Sequence, residues 1–353
     1  MKVSKLYTYA PKSKIKAGQA NPNGKYQFYV SSPDENRRCD DFIYDMSAII
    51  MGTGGSATLH YYDGKFATST DCLTLIPNEK VIPKYLYYFF LGIFGTLEAG
   101  FKGAGLRHTS KNYIDNIEIS ILPSLDRQSE IVELFDKLNS IIDWKRRQIN
   151  QLDSLIKARF VEMFGDVVAN NMGWNTKPMS EVAPANSPKV QIHGNVWLLN
   201  LDMIEPQSGN ILCKHYVPSS ELNTSICAFD SKNVLYSKLR PYLNKVVLPD
   251  QEGYCTTELV PLKPTARLNR EYLAALLRSG AFVGYINSKT AGAKMPRVSM
   301  NIFRRFECVL PPIELQNQFA SFVSQVDKSK FAVQKLLVAS KNVLQLIKED
   351  LNE

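Results

Sequence analysis

The stretch Ile121-Leu122-Pro123-Ser124-Leu125-Asp126-Arg127-Gln128 returns 188 residues later as Val309-Leu310-Pro311-Pro312-Ile313-Glu314-Leu315-Gln316, with the Leu-Pro step and the glutamine in matching places. Moving back along the chain, Thr70-Asp71, Leu75, Pro77 and Tyr85-Leu86 meet Thr257-Glu258, Leu262, Pro264 and Tyr272-Leu273 at an offset of 187. Gly103-Ala104-x-Leu106 and Ser110-x-Asn112 meet Gly292-Ala293-x-Met295 and Ser299-x-Asn301 at 189. An offset that drifts by two residues over about sixty positions is what small loop insertions do to a duplicated domain. The chain reads as one unit written twice.

Moving forward, each copy runs into a long amphipathic helix. Stepping by three and four from Phe135 gives Leu138, Ile142, Lys145, Ile149, Leu152, Ile156, Arg159 and Met163, seven apolar residues among nine positions. The same steps from Val323 give Val326, Lys330, Val333, Leu337, Ser340, Leu344, Ile347 and Leu351, again seven of nine. Pro123 and Pro311-Pro312 stand where a helix start tolerates a missing N–H, and Gly165 suits a helix stop. Two matched stripes separated by a whole lobe favour packing on each other. The first helix delivers the chain to the second lobe and the second helix leaves it, so the pair is expected to be antiparallel, ~60 Å long at ~1.5 Å per residue. The expectation is a dumbbell with approximate two-fold symmetry: lobe one at 1–123, a helix at 124–165, lobe two at 166–311 and a helix at 312–353.

Within the lobes, residues 57–62 and 65–70 flank Asp63-Gly64, a two-residue hairpin signal. Ile117 to Ile121 alternates like a strand, and Lys84 to Leu97 and Arg270 to Ile286 read as one helix in each lobe. The fold class is α+β, two similar mixed lobes joined by an antiparallel coiled coil. Gly165 to Gly173 reads as a short linker. At offset 187, Trp174 to Ser187 falls before Met1, so lobe one is expected to lack lobe two's opening segment and to be short by a strand.

With 353 residues, 44% hydrophobic and 22% charged, the chain can bury two cores. Its longest apolar run, around Tyr85 to Phe94, is too short to span a bilayer. Met1 to Lys16 lacks the apolar centre of a signal peptide, and the cysteines at 39, 72, 213, 227, 255 and 308 form no CxxC pair, which fits reduced thiols in the cytoplasm. The net charge of +8 is uneven: 14 − 11 = +3 over 1–123, 7 − 8 = −1 over 124–166, 16 − 10 = +6 over 167–311, and 5 − 5 = 0 over 312–353. The excess sits in the lobes, as expected of a polyanion-binding surface.

The usual catalytic constellations are missing. Met51-Gly52-Thr53-Gly54-Gly55-Ser56 lacks the Lys-Ser/Thr ending of a phosphate loop and reads as a tight turn or bulge. No GxGxxG opens a helix, no Asp/Asn-Pro-Pro-Tyr/Phe motif of base methylation occurs, and no Gly-x-Ser-x-Gly elbow is present. Cys213-x-His215 offers two ligands where zinc needs three or four, and His60, His108 and His193 are scattered. What the lobes do offer is basic and polar residues beside glycines. In lobe one these are Lys102, Arg107, His108, Ser110 and Lys111, with Lys294 and Arg297 in the matching stretch of lobe two. Lobe two adds Tyr236, Lys238, Arg240, Tyr242, Asn244 and Lys245. Arg and Lys suit guanine edges or phosphate, Asn suits adenine, and hydroxyls suit phosphate oxygens. Singly, each is equally a solvated surface group; as paired segments in two basic lobes they point to nucleic acid. Lys145-Arg146-Arg147, among acids on a neutral helix, reads as a solvated face.

This organisation resembles the specificity subunit of type I DNA restriction-modification systems. The resemblance is carried by the two Leu-Pro…Gln helix starts at 121–128 and 309–316 and by Phe160-Val161-Glu162-Met163-Phe164-Gly165-Asp166 as helix exit. Gly52-Thr53-Gly54-Gly55, Ser69-Thr70-Asp71, Gly103-Ala104-Gly105 and Leu235 to Tyr242 are similar to landmarks of its recognition domains. The resemblance implies a non-catalytic subunit in which each lobe reads half of a split sequence in double-stranded DNA. It further implies two modification subunits using S-adenosylmethionine, and restriction subunits using ATP and Mg²⁺, with no cofactor held by this chain and no membrane partner. A coiled-coil scaffold without nucleic acid and an RNA-binding protein are the alternatives. A scaffold would show no salt-dependent DNA binding, and an RNA binder would prefer single strands.

Overall fold

The computed structural model describes residues 1–187, 194–222, 226–290 and 295–350. Contacts divide the chain into two compact units, residues 1–147 with 334–353 and residues 148–333. The division runs through both long helices, so each unit holds one lobe and the adjoining part of each helix.

In the first unit a six-stranded sheet has the order β1-β6-β4-β5-β2-β3, from β1 (Tyr7–Tyr9), β2 (Tyr26–Tyr29), β3 (Arg38–Cys39), β4 (Tyr44–Gly52), β5 (Thr58–Thr68) and β6 (Cys72–Pro77). Asp63-Gly64 makes no turn here. β5 runs straight through it, because β4 pairs with both sides, Ser47 opposite Asp63 and Met46 opposite Gly64. The chain reverses instead at Thr53 to Ala57, where Gly55 holds φ +84°, so the glycine-rich stretch is the tight turn. Ile117 to Ile121 forms only an isolated bridge, Glu118 with Lys2.

The expected single helix is two helices, α1 (Pro83–Gly92) and α2 (Phe94–Ala99), followed by α3 (Lys111–Asp115). Lobe two repeats the break with α6 (Arg270–Arg278), α7 (Gly280–Ser288) and α8 (Met300–Arg304). Ser279 is extended there, and its hydroxyl accepts the Phe282 N–H, so it ends one helix and caps the next. The remaining elements of the second unit are β7 (Thr176–Pro178), α5 (Met179–Val182), β8 (Asn195–Leu199), β9 (His215–Pro218), β10 (Ile226–Phe229), β11 (Val234–Ser237), β12 (Val246–Val247), β13 (Gly253–Thr256), β14 (Leu259–Leu262) and β15 (Glu307–Val309). They form sheets β10-β13-β8-β9, β12-β11-β14 and β15-β7.

Lobe one does have a counterpart of most of lobe two's opening. Lobe two pairs Lys177 with Cys308, and Met179 N–H donates to Phe306 O. In lobe one Val3 N–H donates to Ile117 O, and Met1 O accepts the Ile119 N–H. Next, Tyr9 pairs with Leu75 as Ala185 pairs with Leu262. These contacts give offsets of 262 − 75 = 187 but 185 − 9 = 176, so lobe two carries eleven additional residues between them. Extending the offset of 187 across that insertion hid the match between Lys177–Ser187 and Met1–Pro11.

The long helices are α4 (Leu125–Phe164) and α9 (Ile313–Asp350). Every described position of both stripes is buried or half-buried, including Lys145, Arg159, Lys330 and Ser340, while Leu134, Ile141, Leu155 and Val161 off the stripe are exposed. In the second unit Phe160 stacks edge-on against Phe319, and Asp153 accepts from Lys330 at 2.5 Å, so position falls along α4 as it rises along α9. The pair is antiparallel there. In the first unit Leu344 and Ile347 pack on the core that contains Ile131 and Phe135.

The repeated glutamine fixes each helix start. Gln128 is fully buried: its Oε1 accepts Ile82 N–H at 2.8 Å and its Nε2 donates to Lys80 O and Pro123 O. Gln316, equally buried, accepts Asn269 N–H at 2.8 Å and donates to Arg267 O and Pro311 O. Ile82 and Asn269 are the N-caps of α1 and α6, so one amide ties each long helix to the first helix of its own lobe. Gly165 ends α4 with φ +72°, and a Cβ there would meet Asn171 Oδ1 at 2.2 Å.

Candidate nucleic-acid interface

Each lobe presents a turn at the end of a strand, clamped to a loop that leads into a short helix. In lobe one the turn after β4 faces the loop 102–109: Thr109 N–H donates to Thr53 O, and Gly55 N–H to Arg107 O. In lobe two the turn after β11 faces the loop that ends at Val298, whose N–H donates to Lys238 O, while Arg240 N–H donates to Pro296 O. The tie beneath is also repeated, Thr53 N–H to Asp71 O and Lys238 N–H to Glu258 O. Thus Gly55 and Arg240 occupy one place. Both have positive φ, +84° and +48°, a conformation easy for glycine and costly for arginine.

The lobe-one candidates come together. Lys102 and His108 exchange backbone bonds of 2.9 and 3.0 Å, closing the loop, and His108 Nδ1 lies 3.2 Å from Thr53 O. Lys102, His108 and Ser110 line an open cleft of about 630 Å³ with Thr96, Asn112 and Tyr113. Ser110 caps α3, accepting Tyr113 N–H. Lys111 stacks 4.2 Å over the Tyr9 ring and borders a smaller cleft of about 250 Å³ with Lys12, Thr53 and Thr109. Arg107 is exposed but ion-paired, its Nη2 2.7 Å from Glu98 Oε1.

Lobe two departs from the expectation. Tyr236 is not on the surface: β11 is buried along its whole length, and the Tyr236 ring stacks on Phe303 at 4.7 Å. Burial pushes its phenol pKa upward, and it cannot touch a DNA phosphate. Asn244 is also buried, at φ +50°, with its Nδ2 committed to Arg278 O at 3.0 Å, so it does not read adenine here. Lys245 donates to Leu201 O at 2.6 Å, and burial lowers its pKa. Arg297 pairs with Glu258 Oε1 at 3.0 Å. The outward-facing set is therefore Arg240, Tyr242, Arg297 and the half-buried Lys238. Lys294, like His193, lies outside the described residues. Sequence reasoning missed Glu98 and Glu258 as part of the site, since nothing in their spacing marks them.

No helix among the described residues is long and apolar enough to cross a membrane. The same turn-and-loop site is built on each of two repeated lobes, and comparison with known proteins says what kind of protein carries it. The profile described as "Type I restriction modification DNA specificity domain" matches residues 2–154 and again 172–338, and the chain belongs to that family. The Type I restriction enzyme EcoDI specificity subunit of Escherichia coli is 20% identical over 350 residues, covering 89% of this chain and 78% of that protein. The MjaVIII specificity subunit of Methanocaldococcus jannaschii is 21% identical over 309 residues, covering 84% of this chain and 65% of that protein. The fold is shared with the S subunit of a type I restriction-modification system from M. genitalium, at TM-score 0.64 and 15% identity, covering 100% of this chain and 95% of that one. A structure described as showing complex assembly and conformational transition of the type I R-M system aligns at TM-score 0.56 and 14% identity, covering 100% and 97%. The protein is a DNA target-recognition subunit and not itself the enzyme.

Proposed function

We propose that each lobe reads one half of a split duplex DNA sequence through its turn-and-loop site. The observation that carries this reading is that the same apposition is built twice, with the same backbone bonds, yet bears different side chains: Gly55, Arg107 and His108 in one lobe, Arg240, Pro296 and Arg297 in the other. A constant frame with variable contacts is how two unlike half-sites are read by one duplicated domain. The two equivalent helix starts offer matched attachment for two modification subunits. On this reading the modification subunits use S-adenosylmethionine to methylate adenines and the restriction subunits use ATP and Mg²⁺, in the cytoplasm where the DNA is. The test is DNA binding by the complex as salt is raised from about 50 to 200 mM, where each phosphate contact contributes roughly 0.9 to the log–log slope. A steep slope with duplex preferred over single-stranded RNA is expected; a flat response, or an RNA preference, contradicts the reading.

A further inference from the structure

In each lobe the arginine of the loop ends on the carboxylate of a glutamate that also touches the neighbouring turn, through its side chain in lobe one and through its backbone in lobe two. Glu98, near the end of α2, accepts Arg107 Nη2 on Oε1 at 2.7 Å and the Ala57 N–H of the glycine turn on Oε2 at 2.6 Å. Glu258, between β13 and β14, forms an ion pair with Arg297, Oε1 to Nη2 at 3.0 Å, while its carbonyl accepts Lys238 N–H. The two glutamates are not repeat partners, because Glu258 matches Asp71, which meets the lobe-one turn only through its backbone carbonyl. A carboxylate has thus been supplied to the loop arginine from different elements in the two lobes. Inheritance from one ancestral pair does not explain that; a shared need to hold the arginine does.

A part-exposed ion pair adds little stability. Its effect is on orientation. The guanidinium has five N–H donors in a fixed fork, so one Nη held by a glutamate leaves the others free to face a guanine edge or a phosphate. A side chain already ordered gives up less entropy on binding. We propose that Glu98 and Glu258 are positioning residues for DNA recognition, each setting Arg107 or Arg297 for the half-site of its own lobe; this rests on the duplex-DNA reading above. The negative charges also cancel the arginines' attraction for arbitrary phosphates, which favours discrimination over indiscriminate affinity.

The test uses the full chain assembled with its modification subunits and a randomised double-stranded DNA library as probe, comparing wild type, E98Q and E258Q. Glutamine keeps a carbonyl oxygen for the Ala57 N–H, so the turn has its acceptor, and the half-site of the untouched lobe reports intact folding. Each variant is expected to lose about tenfold of base preference at one half-site, within what one base pair carries, to keep the other, and to bind random-sequence duplex more tightly. Unchanged or sharpened preference in both variants overturns the inference, as does loss at both half-sites from either single change. If wild type itself selects no sequence, the DNA reading is what fails.

Discussion

Replacing Gln128 by alanine isolates the part of the fold that the sequence motif encodes. The residue is fully buried and makes three hydrogen bonds, to Ile82 N–H, Lys80 O and Pro123 O. Alanine removes all three and leaves a buried N–H with no acceptor, which alone costs about 1 to 3 kcal/mol. Adding the lost bonds and the vacated side-chain volume gives about 2 to 4 kcal/mol, a large share of an ordinary domain's stability. Gln316→Ala removes the same three types of bond in the second unit and should cost the same within about 1 kcal/mol. Urea unfolding measures the total, and hydrogen exchange of peptides over residues 80–90 and 267–277 places it. Exchange should quicken around α1 in one variant and around α6 in the other. A loss below about 0.5 kcal/mol, the size of an ordinary surface change, would refute the assignment of the glutamine as the tie between helix start and lobe.

Arg240→Gly should leave stability unchanged or raised by about 1 kcal/mol, because glycine accepts φ +48° freely, while weakening DNA binding at one half-site; thermal melts and binding read the two separately. Tyr236→Phe should leave DNA affinity unaltered, since the ring is core, and a loss of binding would contradict its placement. Gly165→Ala should lower stability by at least about 1 kcal/mol, from positive φ and the close Asn171 contact, as seen in unfolding. One heptad added to both α4 and α9 on the stripe lengthens each helix by ~10 Å. Mapped methylation should then show unchanged half-sites and a longer spacer, by about three base pairs at most.

The duplication and the helices were legible because their signals are periodic and survive averaging. A seam of eighteen positions tolerates Lys145, Arg159, Lys330 and Ser340 without losing its phase, and it reappears as full or partial burial at every described position. Single-window readings fared worse. Asp63-Gly64 has turn chemistry, but the nine residues of β4 pair across it and keep the strand extended. Tyr236 to Lys245 has the composition of a binding face, yet it begins inside a strand covered on both sides and ends on a lysine bound to its own lobe, leaving Arg240 and Tyr242 outward. The apparent shortening of lobe one came from carrying one offset across an eleven-residue insertion, which only the pairing of Tyr9 and Ala185 with equivalent strands locates. Glu98 and Glu258 had no sequence signal, since their role depends on a turn and a loop meeting in space.

The claim that two lobes read two half-sites is tested most directly by mapping methylated adenines in cells that carry this chain with its modification subunits, for wild type and for Arg240→Ala. The account predicts a split motif for wild type, and for the variant a relaxed preference in one half with the other half and the spacer intact. A continuous motif, or a variant in which both halves change together, would contradict it.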